Sequence, residues 1–157
     1  MKPIYPCLWF NGNGEEAADF YVSAFPNSRI TSKSHYGPDM HLPEGTVLTI
    51  MVELNGCEFM LLNAGPEFAP NEAISLVVPC ADQAELDAIW GKLSAVPESE
   101  ICGWCKDKYG FSWQITPAIM EKWLTGSDQA ATNRAMQALM KMKKLDIAAL
   151  TAAYEGK

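Results

Sequence analysis

Three groups of residues in this chain could do chemistry. The first is Cys102-Gly-Trp-Cys105, a CxxC spacing. Two thiols so spaced make a zinc knuckle or a redox pair only where the backbone turns to bring them together. On an extended strand, residues three apart point to opposite faces, so the strand expected over 100–106 separates the sulfurs. No second CxxC is present to complete a zinc site. Structural thiols are therefore expected, with Cys102 as an isolated nucleophile at most. The second group is His35 and His41, either side of a Gly-Pro loop, with Asp39, Glu44 and Glu67 in similar loop-like segments. These residues could supply a base or metal ligands; exposed histidines without a role are the plainer reading. The third is DKYGFSWQI, residues 107–115, a tight turn entering a short strand. On that strand Ser112, Gln114 and Thr116 share one face. Gln114, with Ser75 of the apolar stretch ISLVVP, could orient a ligand by hydrogen bonds, or the two could bond each other or a buried water and only complete the core.

The elements that must position these residues are legible from pattern. IYPCLWF, residues 4–10, is short, apolar and aromatic, as strands are. A helix follows over EEAADFYVSAF, with Asn13 as its expected cap, Glu16 at the capping-box position and Ala17, Phe20, Tyr21 and Ala24 on its buried face. Pro26 stops it. Strands are expected at 28–36, 46–54 and 57–63, the last two joined by Asn55-Gly56, a strong hairpin signal. The order then repeats: an apolar strand at 74–79, a helix capped by Asp82 with Glu85 three residues on, its face formed by Leu86, Ile89, Trp90 and Leu93, then strands near 100–106 and 111–116. From Pro117 the composition shifts to Ala, Met, Lys and Gln, with helices expected at 118–124 and 128–144 and over IAALTAAYE behind Asp146.

With 157 residues the chain suits one continuous core, and 48% hydrophobic against 20% charged residues is ordinary for a globular protein. The net charge of −7 argues against nucleic acid or an anionic membrane as partner. The N-terminal segment, broken by Pro3 and Pro6, lacks the apolar run of a signal peptide, and no stretch reaches the roughly 20 residues that span a bilayer. Its 5 cysteines cannot all pair within one chain. Reduced thiols and a cytoplasmic location are expected.

The βαβββ order used twice, the stretches PCLWFNGNGEEAADFYVSAFPNSRI, EAISLVV and CGWCKDKYGFSWQITP, and the MKMKKLDIAAL tail resemble the vicinal oxygen chelate superfamily. That group includes glyoxalase I, bleomycin-resistance proteins and extradiol dioxygenases. The nearer likeness is to its PhnB-like branch, often labelled demethylubiquinone methyltransferase-like. The resemblance implies an α+β fold: two βαβββ modules, about 1–66 and 71–117, form a curled mixed sheet around a cavity. A helical extension, 118–157, packs on this domain or on the partner of a homodimer. The family's metal ligands would fall at Pro6, Ser75 and Gln114, with the fourth near Met60 or Leu62, or at Glu58 if the register slips. Proline has no ligand atom, and neutral serine and glutamine are weak donors to transition metals. No metal or other cofactor is therefore expected.

The cavity wall implied by the resemblance is Pro6, Leu8, Phe10, Ser75, Val77, Ser112 and Gln114, with Trp9 and Trp113 on the opposite parity beneath helices. Such a wall, apolar with few polar groups, suits a small apolar or aromatic molecule. The alternatives are an enzyme using acid–base residues, and a metalloenzyme with ligands relocated to His35, His41 and nearby carboxylates. Methyl transfer is disfavoured, because GNG at 12–14 and NAGP at 63–66 do not form the glycine-rich turn of a doubly wound nucleotide site.

Overall fold

Asn55 and Gly56 reverse the chain with φ of 46° and 85°, the two positive values that a type I′ hairpin turn requires. Around them β3 (Val47–Leu54) and β4 (Cys57–Asn63) pair antiparallel. The strand β2 (Arg29–His35) adds antiparallel to β3, and β1 (Cys7–Phe10) adds parallel to β4. This computed structural model describes Met1 and residues 3–157, which fall into two units, Met1–Pro70 and Asn71–Lys157.

In the first unit α1 (Gly14–Ala24) packs on β3 and β4 through Ala17, Ala18, Tyr21 and Ala24, all buried. Its start departs from expectation. Asn13 makes no side-chain cap bond. Instead the Gly14 N–H donates to Oδ1 of Asn63, at 2.8 Å, and Nδ2 of Asn63 donates to the Val47 carbonyl, at 3.1 Å. A cap from a distant strand needs the helix to approach closely. A Cβ at position 14 would stand 2.7 Å from Asn63 Oδ1, so only glycine fits.

In the second unit β5 (Ser75–Cys80) runs parallel to β7 (Ser112–Pro117), and β6 (Trp104–Lys106) runs antiparallel to β7. The helix α2 (Gln83–Leu93) is capped as expected: Asp82 accepts the Glu85 N–H at 2.9 Å, while Glu85 accepts the Ala81 N–H at 2.7 Å. Where the first unit has β2, a 3-10 turn occupies Pro97–Ser99, because proline cannot donate to a ladder. The architecture is thus α+β, with mixed sheets in the orders β1-β4-β3-β2 and β5-β7-β6, neither closed into a barrel.

The C-terminal region forms α3 (Ile119–Thr125), α4 (Gln129–Leu139) and α5 (Ile147–Glu155). Asp128 and Asp146 cap the last two through the Ala131 and Ala149 N–H groups, each at 2.9 Å. The helix expected over 128–144 stops at Leu139. The following residues are used otherwise: the carbonyls of Met142 and Lys143 accept the N–H groups of Cys102 and Gly103, both at 2.8 Å. The side chain of Gln83 takes the Ile147 N–H at 2.8 Å. The tail is therefore part of the second unit. Among the described residues no helix is long and apolar enough to cross a membrane.

The DKYGF turn is organised by Asp107, which is 0% exposed. Its Oδ1 accepts the N–H groups of Tyr109 and Phe111, at 2.9 and 3.0 Å, and its Oδ2 accepts the Trp113 indole N–H at 2.7 Å. Hydrogen bonds to an ionised group contribute roughly 1.5–3 kcal/mol each and are not additive. Asp107→Ala is expected to lower unfolding free energy by about 3 kcal/mol in chemical denaturation; a loss below about 1 kcal/mol would show that the turn forms without it.

Candidate functional site

Ladder pairing decides which side chains of the second sheet share a face. Ser112 pairs with Ser75 on one side and Lys106 on the other, and Gln114 pairs with Val77 and Trp104. Directly paired residues project together. One face therefore carries two adjacent rows, Ser75–Ser112–Lys106 and Val77–Gln114–Trp104. The alternate residues, Cys80, Cys105, Trp113 and Ile115, are each no more than 2% exposed and lie on the face that α2 covers.

The two-row face is open. Val77 is 58% exposed. A cleft of about 490 Å³ takes Trp104, Lys106 and Ser112 from this face, with Glu72, Ser99 and Cys102 around them; Ser75, Val77 and Gln114 lie outside its lining. Small-molecule sites run from roughly 300 to 1,000 Å³. The Lys106 ammonium is ion-paired with Glu72, and the hydrogen bond from Lys106 holds the Glu72 carboxyl below its ordinary range. Gln114 Nε2 donates to Ser75 Oγ at 2.8 Å, so these two do bond each other, one of the two outcomes expected of them. Ser112 is 3% exposed, and its Oγ has no hydrogen-bond partner among the described residues.

Of the residues expected to form a cavity wall, Ser75, Val77, Ser112 and Gln114 share this face. Leu8 and Phe10 are elsewhere. They pair with Leu61 and Asn63, on the face of the first sheet that α1 covers, and are 6% and 3% exposed. This corrects the parity expected for β1: Leu8 and Phe10 are core, and the alternate residue Trp9 is half-buried on the other face. The Trp9 indole donates to the Gly65 carbonyl at 2.8 Å and meets Phe68 edge-on, rather than lying under a helix. Pro6 is exposed, its carbonyl accepting the Met60 N–H at 3.0 Å.

Cys102 and Gly103 form a two-residue turn with φ of 54° and 85°, not part of a continuous strand. Ile101 and Trp104 bridge across it. Cys105 projects to the buried face and Cys102 to the cleft, its Sγ 3.7 Å from Met140 Sδ. All five cysteines are free. Burial pushes the Cys105 thiol up to about 12 and the Cys80 thiol up to about 11. His41 lies edge-on against Tyr36, Nε2 at 3.2 Å from the Tyr36 hydroxyl, which itself donates to the Asn63 carbonyl at 2.7 Å. His35 is an exposed residue at the end of β2. Among the described residues no three His, Cys, Asp or Glu side chains form a group that could hold a metal ion.

The metal implied by the resemblance does not fit the donors present. Pro6 offers no side-chain donor atom, Met60 and Leu62 are apolar, and Gln114, whose Nε2 donates to Ser75 Oγ, offers only a neutral amide oxygen. Three site residues were not expected from sequence: Glu72, Trp104 and Lys106. The alternation in Trp104-Cys105-Lys106, flat–apolar–cationic, was the available signal for the last two.

The profile of a family described as 3-demethylubiquinone-9 3-methyltransferase matches residues 2–116. A solved Bacillus cereus PhnB protein with that same description is 38% identical, with a TM-score of 0.61, and covers 74% of this chain and 100% of its own. Protein PA1353 from Pseudomonas aeruginosa shares the fold at 18% identity and a TM-score of 0.55, over 72% of this chain and 95% of its own. An Arabidopsis thaliana gene product does so at 19% identity and a TM-score of 0.50, over 72% and 96%. No curated protein matches the chain.

Two outcomes follow from the site. A buried hydroxyl without a partner costs about 1–3 kcal/mol, so Ser112→Ala is expected to leave stability unchanged or raise it by about 1 kcal/mol in denaturation. A clear loss would show that the hydroxyl is satisfied. With Cys80 and Cys105 buried and their thiols raised to about 11 and 12, iodoacetamide at about pH 8 should label Cys57 and Cys102 first, by peptide mass mapping. Equal labelling of Cys105 would contradict the burial of that face.

Proposed function

We propose, from the premise that this chain belongs to the 3-demethylubiquinone-9 3-methyltransferase family in its PhnB-like branch, that it binds a small apolar or aromatic molecule on the open face of its second sheet, without a metal. The observation that carries this reading is the Ser112 hydroxyl. It is buried, unpartnered and beside a cleft of about 490 Å³. Buried polar groups in native proteins are nearly always satisfied, so an orphan at a cleft is suited to a partner that arrives with a ligand. Exposed Val77 and half-buried Trp104 next to it supply an apolar and a flat aromatic surface.

Methyl transfer, which the description of the Bacillus cereus relative names, is not part of this reading. Neither sheet is the doubly wound parallel sheet with a glycine-rich first turn on which the common adenosylmethionine site is built. The absence of metal from the reading rests on the donors, since Ser75 and Gln114 are neutral and bonded to each other. A homodimer belongs to the same proposal.

The test has two parts. Native mass spectrometry with elemental analysis, on protein purified without chelator, is expected to give a dimer with no stoichiometric transition metal. Titration with 2-naphthalenemethanol is expected to shift the Trp104 indole and Gln114 side-chain amide resonances. Val77→Asp, which puts a charge in the apolar row, should weaken that binding about tenfold. One zinc, nickel, iron or manganese per chain, or shifts confined to other surfaces, would overturn the reading.

A further inference from the structure

The two rows of the second sheet differ in chemistry, and the difference specifies a ligand. The row Val77–Gln114–Trp104 is apolar, flat and aromatic apart from an amide already bonded to Ser75. The row Ser75–Ser112–Lys106 is a line of hydrogen-bond donors. Ser75 Oγ accepts from Gln114, which leaves its own proton to donate. Ser112 Oγ has no hydrogen-bond partner among the described residues. The Lys106 ammonium can donate three hydrogen bonds. Three adjacent strands thus bring two hydroxyl protons and a cation to one line.

A carboxylate on the segment that leads into β5, that of Glu72, meets this line. It reaches Lys106 and leaves Ser112 unsatisfied. Its side chain is 64% exposed, whereas that of Lys106 is 25% exposed. A half-buried cation therefore holds a solvent-facing carboxylate, and such exposed pairs are weak. Glu98, which also lines the cleft, is exposed to water, where its charge is screened.

We propose that the small molecule is a monocarboxylate. This rests on the reading above and gives it a chemical class. The apolar or aromatic body lies along Val77, Gln114 and Trp104. The carboxylate takes the place of Glu72 on Lys106 and accepts the Ser112 hydroxyl proton. One oxygen on a charge-assisted bond and another on a neutral donor is a strong form of carboxylate recognition. The exchange also explains why the chain keeps a buried hydroxyl that costs it stability when empty. Glu72 acts as an internal stand-in, and it sets a threshold that a ligand carboxylate must exceed.

The test is a head-group series on one body: 2-naphthoate, neutral 2-naphthalenemethanol and cationic 2-naphthylmethylamine, each titrated calorimetrically into the full chain. Naphthoate is expected to bind at least about tenfold more tightly than the other two. Lys106→Met and Ser112→Ala should each weaken naphthoate by more than they weaken the alcohol, and so erase most of that preference. Glu72→Gln, which removes the internal competitor, should tighten naphthoate about threefold or more and leave the alcohol unchanged. If the alcohol or the amine binds as well as naphthoate, the carboxylate assignment is overturned and the apolar site stands. If none of the three binds, both fall. If Glu72→Gln weakens naphthoate, Glu72 is a ligand contact rather than a stand-in, and the proposal fails on that point.

Discussion

A carboxylate taken out of water needs donors, and Asp107 finds them in N–H groups of residues 109, 111 and 113 among others. The first two are backbone groups that close the turn, and the third is the Trp113 indole, one step into β7. The turn is thereby locked to the strand that follows it. Because side chains alternate along a strand, fixing Trp113 on the helix side fixes Ser112 and Gln114 on the other. A slip of one residue would exchange the two sets and bury the polar pair. The stretch 107–113 is first of all a register lock.

From that register the rest of the face follows. β5 and β6 pair on either side of β7 and line up Ser75 and Lys106 with Ser112, and Val77 and Trp104 with Gln114. The Cys102-Gly103 turn places β6, and that turn is itself held by carbonyls from the chain after α4. The C-terminal region thus supports the wall of the cleft. An analogous polar node serves the first unit, where Asn63 joins the start of α1, β3 and the Tyr36 hydroxyl. In that unit the node is internal and fully bonded, which suits a structural role. In the second unit a hydroxyl is left over.

Much of this was legible in the sequence, for identifiable reasons. Ser112-Trp-Gln-Ile-Thr alternates polar and apolar residues, so its two faces could be told apart, and Ser75, Val77, Ser112 and Gln114 do share one. Cys-Leu-Trp-Phe in β1 does not alternate, so nothing local distinguished Leu8 and Phe10 from Trp9. Only their pairing with Leu61 and Asn63 does. Asn55-Gly56, Asp82 and Asp146 act through a few neighbouring residues and were readable. The cap on α1 was not, because it comes from Asn63, 49 residues away. The turn at Cys102-Gly103 is hidden in the sequence, because a non-glycine residue at positive φ is uncommon, and Cys102 adopts φ of 54°. The contact between Glu72 and Lys106 is a tertiary matter that no spacing announces.

The account rests on a carboxylate exchanging places with Glu72 beside Ser112. A crystal structure of the protein soaked with 2-naphthoate tests that directly. The expected result is a ligand carboxylate within hydrogen-bond distance of Ser112 Oγ and Lys106 Nζ, with Glu72 turned into solvent and the ring against Trp104. Naphthoate bound on another surface, with Glu72 still on Lys106, would contradict it.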